Sequence, residues 1–178
     1  MSATSRRALN RIAALGLLTG ATFGLAGTLV GSPQLQASLW AIDSVGLVVA
    51  TALLTLKYFR AGADVLAAGF LVFAIDEGVL LSGTAAGPSG SVPAFAAGTA
   101  LWAAALALIS APRQLPPWLR ILGAVAAILF GITAARIYAG EALLPTSSPL
   151  PFFGYPFLVA TLLGWGWMLL REEPSRHA

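Results

Sequence analysis

The sequence predicts an all-α integral membrane protein, a compact bundle of six transmembrane helices in three antiparallel hairpins with both termini cytoplasmic. Three observations predict it. Of 178 residues, 58% are hydrophobic and 10% charged, with mean hydropathy +0.85, whereas a soluble domain carries about 25% charged residues. Apolar runs of roughly 20 residues, long enough to cross a bilayer, recur along the whole chain. Proline, which breaks helix interiors, falls only between the runs (Pro33, Pro88, Pro112, Pro116, Pro117, Pro145, Pro149, Pro151, Pro174) or in first turns (Pro93, Pro156).

The expected spans are 12–31, 39–56, 64–82, 92–111, 118–138 and 152–170, and together they make residues 1–178 a single transmembrane domain. Arg6, Arg7 and Arg11 precede the first span, and Ser5-Arg6-Arg7 is faintly like a twin-arginine signal. A cleaved leader, which would leave five spans, is the alternative. The apolar stretch is long for a leader and Leu35-Gln36-Ala37 is a poor cleavage site, so the span is expected to be retained. The second and third spans flank a short turn carrying Lys57 and Arg60. The fourth is largely alanine, which leaves its packing face undefined by pattern. The fifth follows a proline-rich turn with Arg113 and Arg120, and the sixth precedes Arg171 and Arg176.

Orientation follows from these cations. Of the ten Lys and Arg residues, all but Arg136 lie on the side of the termini, and the excess of Lys and Arg marks the cytoplasmic side. A bacterial inner membrane is the expected location. Trp40, Tyr138, Phe152 and Tyr155 near the outer ends, and Tyr58, Trp118, Trp165 and Trp167 near the inner ends, are placed to form the two interfacial aromatic belts.

Composition also excludes chemistry. No cysteine means no disulfide, iron–sulfur cluster or thiolate zinc site, and the lone His177 is too close to the end to ligate haem or metal within the membrane. No cofactor, metal or catalytic residue is expected. The net charge of +3 and pI near 10.0 do not imply nucleic acid, because the cations are scattered at span ends without a basic stripe. A rhomboid-type protease needs a histidine beside its serine, lipid phosphatases need Arg and His clusters, and Asp76-Glu77 alone is thin for a metal-dependent lipid transferase.

Helices associate in lipid through close approach at small residues. Gly16, Gly20 and Gly24 recur every four residues in the first span, followed by Gly27 and Gly31. Gly123, Ala127, Gly131 and Ala135 do so in the fifth. Both stripes are expected to pack within the bundle. Beyond the lipid bilayer, a second copy or a larger membrane complex is the partner class they leave open. The long outer connection, 139–151, is proline-limited and reads as a long loop, with an ordered lid over the outer bundle mouth as the alternative.

One cluster of charges needs explaining, because an ionisable group within a span is costly and is by default a functional candidate. Asp43, Asp76 and Glu77 are expected roughly 6–9 Å below the outer boundary, from the 1.5 Å rise per residue. Arg136 and Glu141 lie at the outer end of the fifth span. Asp43 shares a face with Gly46 and Ala50, and Asp76 with Gly69 and Gly83, so both should point inward. Glu77, about 100° away beside Phe70, Phe73 and Leu81, should face another neighbour or the headgroups. Arg136 is the expected partner, bridging Asp43 and Asp76 with its planar fork. An ion-pair knot fixing register, an outward-facing cation or solute site and a protonatable gate are the competing readings. A proton-driven pump is disfavoured, because the inner half holds no acid except Asp64 at its edge.

The run Leu56-Lys57-Tyr58-Phe59-Arg60-Ala61-Gly62, continuing through Ala67-Ala68-Gly69-Phe70-Leu71-Val72-Phe73-Ala74-Ile75, resembles a family of small uncharacterised bacterial six-helix membrane proteins. Leu144-Pro145-Thr146-Ser147-Ser148-Pro149-Leu150-Pro151-Phe152-Phe153-Gly154-Tyr155-Pro156 resembles it too. The likeness covers most of the chain, and it brings no activity and no catalytic residue to transfer. In length and hairpin layout alone the chain is similar to six-helix acid-resistance membrane proteins, an analogy of architecture. The expected role is non-enzymatic binding or assembly. A small-solute or cation transporter or channel with an outward-facing acidic site is the alternative.

Overall fold

The computed structural model describes residues 3–84 and 91–172. Pro88, Pro174, Arg176 and His177 lie outside the described residues. Six helices long and apolar enough to span a membrane account for nearly all of the rest. They are α1 (Ala3–Leu29), α2 (Pro33–Arg60), α3 (Asp64–Thr84), α4 (Val92–Ser110), α5 (Pro117–Tyr138) and α6 (Tyr155–Arg171), the last preceded by a 3-10 turn at Phe152–Gly154.

The first two helices run well past the apolar runs. Helix α2 starts with Ser32 at its N-cap and Pro33 in its first turn, the arrangement that satisfies free N–H groups and presets the backbone. It continues to Lys57 and Arg60, cations suited to a helix C-terminus. Its end is a Schellman turn, with Gly62 at φ +71 and Ala63 N–H donating to Tyr58 C=O at 2.9 Å. Helix α4 is closed differently: Arg120 reaches back from α5 and donates to the carbonyls of Ser110 (2.8 Å) and Ala111 (3.0 Å).

Each helix packs on its neighbour in sequence, and α6 returns to α1, so the bundle is a closed ring. The α1–α2 seam is the glycine stripe. A methyl at Gly16 would lie 2.5 Å from the Gly46 carbonyl oxygen, and Gly20, Gly24 and Gly27 face Leu47, Asp43 and Trp40. The second stripe is less uniform. Gly123 presses on Ser110, but Gly131 has ordinary clearance, with Ala103 3.6 Å from where its methyl would be, and Ala135 is exposed. The α3–α4 seam has its own close approaches, at Gly69 against Ile109, Gly83 against Ala94 and Gly98 against Leu80.

Aromatic rings fill the ring of helices toward the end carrying the termini. Trp165 meets Phe70 edge-on with centroids 5.0 Å apart and Phe73 at 6.1 Å, while Tyr58 stacks on Phe70 at 5.4 Å. Trp165 is therefore core rather than belt, and Tyr155 is also buried. Of the expected belt residues, Trp118, Tyr138, Phe152 and Trp167 are on the outer surface. At the same end Lys57 pairs with Glu172, and Asn10 donates to Glu172 and to the Leu169 carbonyl, tying α1, α2 and the end of α6 together.

Candidate functional site

At the opposite end, where the α1–α2, α3–α4 and α5–α6 connections lie, the ring is not filled. A cavity of about 460 Å³ extends down α2 from Pro33 to Leu47, some 21 Å at 1.5 Å per residue. Helices α1, α2, α3, α4 and α6 form its wall, and α5 stands behind as a brace, its Phe130 packed on Trp102 and Tyr155. Residues 144–146 of the long connection cover part of it. That segment is held by Tyr155 Oη donating to the Pro145 carbonyl (2.9 Å) and by Ser147 Oγ accepting from Leu144 N–H (2.9 Å).

The structure brings two of the expected acids into this cavity. Asp43 lies on α2 opposite Gly24, where a β-carbon would come within 2.7 Å of its Oδ2, so the absent side chain on α1 makes its room. Its Oδ1 accepts no hydrogen bond among the described residues. Glu77 is also on the wall, with 1% of its surface exposed. It accepts from Ser44 Oγ at Oε2 (3.1 Å) and from Trp102 Nε1 at Oε1 (3.0 Å). Of the two directions left open for Glu77, another neighbour or the headgroups, it takes the first, meeting Ser44 on α2 and Trp102 on α4. Phe70 and Phe73, on the same side of α3, are fully buried core.

Asp76 is buried but elsewhere. It sits in the α3–α4 seam over Gly98, whose added β-carbon would be 3.3 Å from Oδ1, and neither carboxyl oxygen has a donor among the described residues. It does not line the cavity, although it lies within electrostatic reach of Asp43 and Glu77.

Arg136 does not bridge these acids. It makes a two-pronged pair with Glu141, Nε to Oε1 at 2.9 Å and Nη2 to Oε2 at 2.6 Å, on the surface. The reason is local. Helix α5 ends in a Schellman turn with Gly140 at φ +102 and Glu141 N–H donating to the Arg136 carbonyl, which folds Glu141 back onto the last helical turn. The guanidinium hydrogen bonds hold the Glu141 carboxyl below the usual carboxylate range.

Among the described residues the wall thus carries two carboxylates and no Lys, Arg or His. The remainder is apolar or aromatic, including Trp40, Phe95, Trp102 and Tyr155, with hydroxyls and amides such as Thr28, Gln34 and Thr84 toward the rim. Among the described residues no group of three or more His, Asp or Glu is gathered as a metal site. Sequence reasoning missed Ser44, Trp102 and the cavity role of Trp40 and Tyr155. The signal available for Ser44 was its place beside Asp43 on a span otherwise poor in polar groups. The chain matches no family model, no curated protein and no solved structure.

Proposed function

We propose that this is a multi-pass protein of the bacterial inner membrane that binds a small cationic solute in the loop-end cavity, without chemistry of its own. One observation carries the reading: two carboxylates line an intramembrane cavity that has no basic side chain on its wall among the described residues. In low-dielectric surroundings an acid without a counter-charge is costly, and a bound cation supplies what the wall lacks. The volume is within the roughly 300–1,000 Å³ typical of small-molecule sites. The packed Phe70–Phe73–Trp165 floor favours binding over conduction through an open pore. The resemblance to uncharacterised membrane proteins adds no activity, so the reading rests on the cavity.

In this reading the cavity faces outward and both termini are cytoplasmic, as the Lys and Arg distribution suggests. An impermeant thiol reagent on intact cells should label Ala142→Cys and spare Ala61→Cys, and the reverse pattern would invert the orientation.

The binding proposal is tested by thermal unfolding in lipid nanodiscs with potassium, magnesium, putrescine and tetraethylammonium chlorides, and with sodium sulfate and acetate. A ligand binding only the folded state stabilises it by about 2.7 kcal/mol at a hundred times its Kd. At least one cation should raise the midpoint of the wild type and not that of Asp43→Asn. Stabilisation by none of them, or equally by the anions, would overturn the proposal.

A further inference from the structure

We infer that the occupant is an amphipathic ammonium cation, an alkylated nitrogen bearing an apolar or aromatic body, with its charge at Asp43 and its body against the aromatic wall. This rests on the cationic reading above and narrows it to a chemical class.

The two carboxylates differ in what they still offer. Each oxygen of Glu77 already accepts a protein donor, from Ser44 or Trp102, so Glu77 is tied into the wall. Asp43 lines the cavity with no protein donor on either oxygen among the described residues: Oδ1 is shut away in the wall, and Oδ2, beside the Gly24 notch, is the oxygen left open. Asp43 is therefore the group left to meet a ligand charge. It stands 10 positions beyond Pro33, about 15 Å along α2, with Leu47 one turn deeper.

Around that charge the wall is mainly apolar and aromatic, with hydroxyls and amides such as Thr28, Gln34 and Thr84 toward the rim. A primary ammonium carries three N–H donors, and a bare divalent cation takes about six oxygen ligands. Either would go largely unsatisfied here, since the three acids do not gather as a metal site. An alkylated ammonium has little or no N–H to satisfy. Its attraction is to a carboxylate and to the faces of aromatic rings. The rings are present and pre-set. Trp102 is held by its bond to Glu77 and by Tyr155, whose ring it meets edge-on with centroids 6.4 Å apart. Tyr155 spends its hydroxyl on Pro145, so what it offers the cavity is its ring. Trp40 faces the Gly27 notch on the α1 side.

The test measures equilibrium binding to the full chain in nanodiscs, by titration calorimetry and tryptophan fluorescence, with benzyltrimethylammonium, putrescine, magnesium and benzyl alcohol. Benzyltrimethylammonium should bind at least about tenfold more tightly than the other three. Trp40→Leu should weaken it about two- to thirtyfold, the range of one cation–π contact, and Asp43→Asn by at least about tenfold. Tighter binding of putrescine or magnesium would overturn the amphipathic class and leave the cationic reading standing. Benzyl alcohol binding as tightly, or no probe binding, would overturn both. If Asp43→Asn does not fold, the probe order and Trp40→Leu still decide, and an unchanged affinity in Trp40→Leu contradicts the aromatic wall.

Discussion

The indole N–H of Trp102 donates to Oε1 of Glu77 at 3.0 Å, joining α4 to α3 at the wall of the cavity. With Ser44 on the other oxygen, the bond turns a carboxylate inside the bundle into a fixed part of the architecture. Trp102→Phe keeps most of the ring packing and removes one donor. Leaving a buried acceptor short costs about 1–3 kcal/mol, so the variant should unfold earlier in chemical denaturation by that amount. Unfolding at the wild-type midpoint would mean that the bond contributes nothing.

Arg136 and Glu141 form a separate surface pair. Arg136→Gln should leave cation binding at its wild-type affinity and change stability little, because exposed pairs are screened. Its pH signature follows from Glu141, whose value is lowered in the folded state. The pair's contribution is present above the ordinary carboxylate value and is lost as pH falls through the lowered one. The small midpoint difference between wild type and Arg136→Gln should therefore vanish in acid, and salt should shrink it at neutral pH. Loss of cation binding in Arg136→Gln would restore Arg136 to the site.

The two glycine stripes should differ. Gly16→Ala sets a methyl against the Gly46 backbone carbonyl, which cannot turn away, and overpacking of this kind costs about 1–3 kcal/mol. Gly131→Ala meets only ordinary contact, and alanine's better helix propensity is worth up to about 1 kcal/mol. Gly16→Ala should lower the unfolding midpoint and Gly131→Ala should hold or raise it. Equal loss at both positions would contradict the asymmetry between the seams.

The spans and their hairpins were legible because bilayer thickness sets run length and proline marks the breaks. The α1 stripe was legible because only glycines at four-residue spacing allow that approach. The direction of Glu77 was not, since in lipid an outer face and a core face are equally apolar: Leu71 and Ile75 face out while Phe70 and Phe73 face in, and hydropathy does not separate them. Tyr155 and Trp165 misled similarly, because an aromatic near a span end suits a headgroup belt, a cavity wall or the packed core. The Arg136–Glu141 pair had a signal in Gly140, a C-terminal glycine that returns the chain onto the helix.

The most direct test of the central claim uses the absence of cysteine from the chain. Ser44→Cys introduces a single thiol beside Asp43 and Glu77, and Ser38→Cys serves as an exposed control on the same helix. Both are reacted in nanodiscs with a trimethylammonium methanethiosulfonate and with its sulfonate counterpart. Relative to the control, the thiol at position 44 should favour the cationic reagent by at least about tenfold, the selectivity that ~1.4 kcal/mol of local potential gives, and Glu77→Gln should reduce that preference. No reaction at position 44, or a rate with the anionic reagent equal to that with the cationic one, would contradict a cation-selective cavity.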